Sequence, residues 1–292
     1  EGPIEEFTVT ARAVTPDALK GTFSSIWLCT KAQHTDLAAR AIVPHLAEHG
    51  HVLSLQNGLN EFQIMKAVGK SATIGAFINF GSDYLSPGRI LFGGRGAVVV
   101  GELDGAKTRR LTEIKHRLSI FEPNAKSTTK IWGYLWGKLG YAAILFATAL
   151  TNDSIADVLA RREYRSVLTE LACEMTALAE CQGVVPLGFN GYDPVAFQRE
   201  AHTSAIDASF EAMVLHNQKS AKSHSGIWRD LAVRKRKTEV DPQLTIPIEI
   251  AENIGLAMPL TQKLVELIQE IEVGSRPLAI ETLDALLIAQ KE

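Results

Sequence analysis

Cysteine is scarce in this 292-residue chain, which has only Cys29, Cys173 and Cys181. An odd number lying inside apolar patterns builds no disulfide framework, so the three thiols read as reduced core residues of an intracellular, cytoplasmic protein. Long hydrophobic runs are missing too. The longest, Tyr141 to Leu150, falls short of the roughly 20 residues a bilayer demands, and no secretory signal opens the chain. Nor is there an excess of one charge. With 30 Lys and Arg against 33 Asp and Glu the net charge is -3, a field that favours neither nucleic acid nor an anionic membrane surface. Internal repeats, low-complexity tracts and Ser/Gly linkers are absent, so successive domains should pack directly on one another.

What is present suits a soluble chain with material for two cores: 46% hydrophobic and 22% charged residues. The first part alternates. "SSIWLCTKA" from Ser24 reads as a strand, and Thr35 as the cap of a helix over "DLAARAIVPHLAEH" that Gly50 ends, with Pro44 a break or kink. "HVLSLQ" is a second strand, "EFQIMKAV" a short helix stopped by Gly69, "ATIGAFINF" a third strand, and "GRILFGGRGAVVVGEL" a hairpin. Strands alternating with helices predict a parallel sheet with helices on its faces. From about Lys130 the pattern is helical almost throughout. In "EYRSVLTELACEMTALAECQGV" the residues Tyr164, Val167, Leu168, Leu171, Met175 and Leu178 form one helical stripe that Gly183 ends. The division is drawn as 1–129 and 130–292.

An α/β domain followed by a helical one suggests a dinucleotide enzyme with its substrate between the two, and calls for a Gly-rich phosphate loop. "GGRGAV", Gly93 to Val98, is the one candidate, and it leads into the strand-like "VVVGE" instead of opening a helix. A hairpin turn describes it better. Three further features have bland readings. The basic run Arg229, Arg234, Lys235, Arg236 and Lys237 could meet phosphates, but such runs are most often solvated helix faces. His45, His49 and His51 include an i, i+4 pair, yet no third ligand of clear spacing accompanies it, so no metal is expected. Cys173 and Cys181 are expected in the core.

Lys138 stands out. It is the one charge between Ile131 and Leu150, where an ammonium is expensive unless paired or given a task. A lysine whose head snorkels past Trp132 or Trp136 to water would explain it; so would a catalytic one.

"CTKAQHT" at Cys29 to Thr35, "SLQNGLNE" at Ser54 to Glu61, "LWGKLGYAA" at Leu135 to Ala143, "WRDLAVRKRKTEVD" at Trp228 to Asp241 and the closing "RPLAIETLDAL" resemble, in order and spacing, the ketopantoate reductase (2-dehydropantoate 2-reductase) family. The resemblance implies an NADPH-dependent reductase of 2-oxo acids, with a Rossmann-type sheet domain followed by an all-helical substrate and dimerisation domain, and a homodimer. It also implies that the family's opening strand, G-x-G-x-x-G turn, helix and second strand are missing ahead of Glu1, so that the first domain is partial. By position, Lys138 corresponds to the family's general acid and Glu239 to a glutamate that contacts cofactor and reacting group. Lys31 and the turn Gln56, Asn57 and Gly58 correspond to cofactor contacts, with Asn57 also near the substrate. Four and eight residues after the lysine, where the pantoate-pathway enzymes carry asparagines that hold substrate, this chain has Ala142 and Phe146. Ser225 stands one place from the family's substrate serine. Amides replaced by Ala and Phe imply a more apolar substrate than ketopantoate. A β-hydroxyacid dehydrogenase and a noncatalytic binding or dimerisation module derived from a reductase remain alternatives.

Overall fold

The computed structural model describes residues 1–220 and 222–291, and these form two compact units, Glu1–Ile131 and Trp132–Glu292. The division lies two residues beyond the one drawn from sequence.

The first unit is built on a five-stranded sheet of order β1-β2-β3-β6-β7. Its strands are β1 (Phe23–Leu28), β2 (Leu46–Ser54), β3 (Thr73–Asn79), β6 (Ala97–Glu102) and β7 (Lys126–Ser127), while β4 (Ser82–Ser86) and β5 (Arg89–Phe92) form a separate hairpin. The first three strands run parallel, joined by helices α1 (Thr35–Ile42) and α2 (Glu61–Val68), whereas β6 runs antiparallel to β3. Alternation along each strand sorts the apolar side chains between two faces. On one, Leu28 and Val52 meet Ala39 and Ile64 of the two helices; on the other, Leu53, Ile74, Val98 and Val100 meet Leu111, Ile114 and Leu118 of α3 (Arg109–Phe121).

Two sequence expectations fail here for local reasons. Pro44 ends α1 at Ile42, after which "LAEHG" enters β2, so Gly50 lies in a strand and stops no helix. The hairpin is not the one expected. Arg89–Phe92 pairs with the preceding Ser82–Ser86 around Pro87 and Gly88, and "GGRG" carries the chain from that hairpin back to the main sheet, where β6 pairs with β3.

The second unit is helical: α4 (Ile131–Thr148, whose first residue closes the first unit), α5 (Ile155–Ala160), α6 (Arg165–Cys181), α7 (Thr203–Lys219), a short α8 (Gly226–Trp228), α9 (Ile246–Asn253), α10 (Pro259–Glu272) and α11 (Ile280–Ala289). The expected stripe on α6 is buried, from Tyr164 through Leu178. Cys173 and Cys181 lie off it, half-buried and exposed respectively, and Cys29 is exposed, so the reading of all three as core residues is corrected. Two residues on from Leu171 a helix has turned about 200°, which takes Cys173 to the opposite side.

No helix among the described residues is long and apolar enough to cross a membrane. Helix α4 is instead packed inside its unit. Gly137 sits against the chain that follows α6, where a Cβ would stand 2.0 Å from the Leu187 carbonyl oxygen, and Leu187 N donates to Gly133 O at 2.8 Å. Only a residue without a side chain permits that approach. An aromatic ladder, Tyr141 to Tyr192 to Phe197 to Phe210, continues the core, and Asn217 donates to the Tyr141 hydroxyl at 2.8 Å.

Candidate active site

In the first unit the parallel strands β1 and β2 end side by side, and the Leu28 carbonyl accepts from Leu55 N at 2.9 Å just past the ladder. Ligands of open α/β sheets bind beyond such carboxyl ends. The sequence-predicted residues Lys31, Gln56, Asn57 and Gly58 all stand there, three residues or fewer past Leu28 or four or fewer past Ser54. Lys31 and Asn57 are exposed, while Gln56 is buried, and Gly58 has a φ of 91° that a side chain would strain. Gln56 Nε2 reaches across to the β1 side, donating to Thr30 O at 2.9 Å and to Thr35 Oγ1 at 2.8 Å. Thr35 in turn donates to Asn60 Oδ1 at 2.8 Å, and Asn60 Nδ2 donates to Asn57 O at 2.5 Å.

Thr35 is therefore no helix cap. His34 holds that position and Thr35 begins α1 with its hydroxyl turned into the polar cluster. Neither Thr35 nor Asn60 is singled out by sequence, because a Thr before Asp reads as a cap and an Asn after a turn as a turn residue.

In the second unit Lys138 is the sole charged side chain of α4. It is half-buried, as are Trp132, Tyr134, Ala142 and Leu145, while most of the helix is fully enclosed. At about 100° per residue Tyr134, Lys138, Ala142 and Leu145 fall within one sector, with Trp132 apart from it near the start of the helix, and this is the stripe on which an ammonium is tolerable. Phe146 departs from it. Eight residues on from Lys138 the helix has rotated about 80°, and Phe146 is 0% exposed in the core; the residue in line with Lys138 and Ala142 is Leu145, seven residues on.

Ser225 and Glu239 begin and end one irregular segment. Ser225 Oγ caps α8 by accepting from Trp228 N at 3.1 Å, which leaves its O–H as a donor. Glu239 is buried, between Thr238, whose N and Oγ1 both donate to Glu272 Oε1 at 2.7 Å, and a π-helical turn in which its own carbonyl accepts from Gln243 N at 3.1 Å. The basic run between them is not a plain helix face. Arg234 Nη1 and Arg236 Nε both donate to Asp230 Oδ1 at 3.0 Å, a carboxylate that is itself buried, and Lys235 turns the chain with φ 49°. The three histidines share no helix: His45 is in a 3-10 turn, His49 and His51 on β2. Burial pushes the His51 imidazole down, aided by Arg110.

A nicotinamide cofactor can be tested against these residues. At the strand ends Gln56 Oε1 is a buried acceptor without a partner among the described residues, beside the exposed Asn57 and Lys31, and that polar edge fits the nicotinamide half. Among the described residues "GGRG" runs into β6 and opens no helix that could receive a pyrophosphate.

Comparison with known proteins bears on the fold and the family. Residues 1–105 match the family model described as ketopantoate reductase PanE/ApbA, and residues 130–272 the model of that family's C-terminal domain. The 2-dehydropantoate 2-reductase of Archaeoglobus fulgidus is 22% identical over 249 residues, covering 85% of this chain and 76% of that protein. Among solved structures, a PanE/ApbA family ketopantoate reductase from Ralstonia eutropha superposes with a TM-score of 0.70 at 21% identity, covering 88% of this chain and 78% of the other. D-mandelate dehydrogenase in complex with NADH and anilino(oxo)acetate superposes with a TM-score of 0.74 at 17% identity, covering 89% and 80%. With its Rossmann-like sheet, its helical second unit and both family models matched in order, this chain belongs to the ketopantoate reductase family of oxidoreductases acting on CH–OH groups.

Proposed function

We propose that the chain is an NADPH-dependent reductase of a 2-oxo acid whose side chain is more apolar than that of ketopantoate. The observation that carries the reading is Lys138, one ammonium on the half-buried stripe of an otherwise apolar helix. Lys138 Nζ would protonate the substrate's carbonyl oxygen as negative charge grows there. An ammonium on a half-enclosed helix stripe acts on that charge more strongly than one in open water. When bound, a nicotinamide cofactor supplies the hydride for the carbonyl carbon. Asn57, Gln56, Gly58 and Lys31 would hold its nicotinamide end, while Glu239 would contact the reacting group and Ser225 would offer its O–H to substrate. Tyr134, Ala142 and Leu145 flank Lys138 along α4, so hydroxyls on the substrate would find no amide there. The sequence argument for a homodimer, an apolar helical unit that pairs, is part of the same proposal.

Each substrate hydroxyl left unpaired costs about 1–3 kcal/mol, or roughly 5- to 150-fold in kcat/KM. Loss of absorbance at 340 nm should therefore be faster with 2-oxo acids carrying branched aliphatic or aromatic groups than with ketopantoate, and faster with NADPH than with NADH. A preference for ketopantoate would overturn the substrate reading. Absence of hydride transfer to every 2-oxo acid, together with no dinucleotide binding, would favour the noncatalytic module.

A further inference from the structure

The cluster that joins the ends of β1 and β2 has a direction fixed at every link. The Thr30 carbonyl can only accept, so the Gln56 amide that faces it at 2.9 Å must present Nε2 and cannot be turned round. That nitrogen also serves Thr30 Oγ1 at 3.1 Å and Thr35 Oγ1 at 2.8 Å, which leaves the Thr35 hydroxyl proton for Asn60 Oδ1 at 2.8 Å. With its oxygen so engaged, Asn60 can only donate onward, and it does so to the Asn57 carbonyl at 2.5 Å. Gln56, Thr35 and Asn60 are 6%, 0% and 1% exposed, so the two bonds of the Thr35 hydroxyl are buried, while the links to Thr30 and Asn57 at the two ends are part-buried.

Three polar side chains are an unfavourable filling for a buried space that apolar ones could occupy, unless their direction matters. The chain starts at the backbone of Thr30, adjacent to the exposed Lys31, and ends at the backbone of the exposed Asn57. Thr35 is the central link. A hydroxyl is the one small group that accepts from Gln56 and donates to Asn60 at once.

We propose that Thr35 is a positioning residue: it locks the turn bearing Asn57 to the strand end bearing Lys31, so that both meet the nicotinamide end of a dinucleotide in one fixed register. Thr35 is fully enclosed and touches no ligand. The assignment rests on the reading of this sheet edge as the cofactor site.

The test uses the full chain and three substitutions. Thr35→Val keeps the shape and removes both hydrogen bonds; Thr35→Ser keeps the hydroxyl; Asn60→Asp keeps the acceptor for Thr35 and removes the donor to Asn57. For each, the dissociation constants of NADPH and NADH are measured by quenching of tryptophan fluorescence, beside the thermal midpoint and the KM and kcat for the best 2-oxo acid. The expected result is a dinucleotide Kd raised roughly tenfold or more in Thr35→Val and Asn60→Asp, returning towards the native value in Thr35→Ser, with kcat at saturation changed less than KM. A lowered midpoint with an unchanged Kd would make the cluster merely structural and overturn the proposal. Should Thr35→Val not fold, Asn60→Asp and Thr35→Ser decide by the same criterion. If the native chain binds neither dinucleotide, the cofactor site itself is misassigned, and the role of Thr35 falls with it.

Discussion

Helix α10 begins without a cap of its own, and its stability depends on a carboxylate from α6. Met258 occupies the N-cap position and offers no side-chain bond. Glu174 supplies the missing acceptor from the neighbouring helix: Oε1 takes Leu260 N at 3.0 Å, and Oε2 takes Thr261 N at 2.8 Å and Thr261 Oγ1 at 2.6 Å. A negative charge at the positive end of a helix adds to these bonds. Glu174→Ala would strand two N–H groups and one hydroxyl in a buried place. At about 1 kcal/mol or more each, the loss is about 3–4 kcal/mol. For a unit of this size that lowers the thermal midpoint by about 6–15 °C. Glu174→Gln should cost less, about 1–2 kcal/mol at neutral pH, because one oxygen still accepts while the amide nitrogen opposes a donor.

The pH dependence has a definite direction. Burial pushes the Glu174 carboxyl above its ordinary 4.5, and the hydrogen bonds from Thr261 and Leu260 only partly offset it. The folded state thus holds the proton more tightly than the unfolded chain, so this group favours folding at low pH and loses that contribution as pH rises through its raised value. The stability gap between the native protein and Glu174→Gln should narrow between pH 4 and pH 7, read from urea unfolding followed by circular dichroism. An Ala variant costing under about 1 kcal/mol, or a gap that widens with pH, would refute the reasoning.

Glu102 has the opposite dependence. Burial pushes its carboxyl up, but hydrogen bonds from Arg110 and Thr108 outweigh this and hold it below 4.5, so its stabilisation is present above that value and lost as pH falls through the lowered one. Glu102→Gln should flatten the acid limb of a urea-midpoint profile between pH 3 and pH 6, and an unaltered limb would count against the pairing. Gly137→Ala would place a methyl 2.0 Å from the Leu187 carbonyl oxygen and should cost about 3 kcal/mol in thermal or urea unfolding; a change under about 0.5 kcal/mol would mean the approach is looser than described.

Much of this architecture can be read in the sequence because strong periodicity and punctuation coincide. β3 is buried along most of its length and reads as one apolar run, while the α6 stripe and the end of α2 at Gly69 follow from helical spacing and a stop. Failures cluster where local signals compete. After Pro44 the residues "LAEH" have helical propensity, but Leu46 pairs with Phe23 and the next partner of β1 is His51, so Ala47 to Gly50 form a bulge within β2 at which His49 takes φ 60°. Two glycine-containing turns lie close together in "SPGRILFGGRG", and sequence alone does not say which closes a hairpin. The candidate site shows the same division. Lys138 is conspicuous as a lone charge in an apolar helix, and Asn57 as part of a turn after a strand. Thr35 and Asn60 act through contacts 25 residues apart in sequence, which no local pattern reports. The i, i+4, i+8 spacing draws attention to Ala142 and Phe146, whereas Leu145, seven residues on and nearer to Lys138 in helical angle, belongs to no motif.

The central claim is that Lys138 supplies the proton in carbonyl reduction, and Lys138→Met, which keeps the length and apolar stem of the side chain, tests it most directly. With NADPH and the best 2-oxo acid, kcat/KM should fall about 10²- to 10⁴-fold while the dinucleotide Kd stays within about twofold of the native value. A variant that keeps kcat/KM within tenfold of native, with its fold intact, would contradict the claim and leave Lys138 a solvated lysine on an apolar helix.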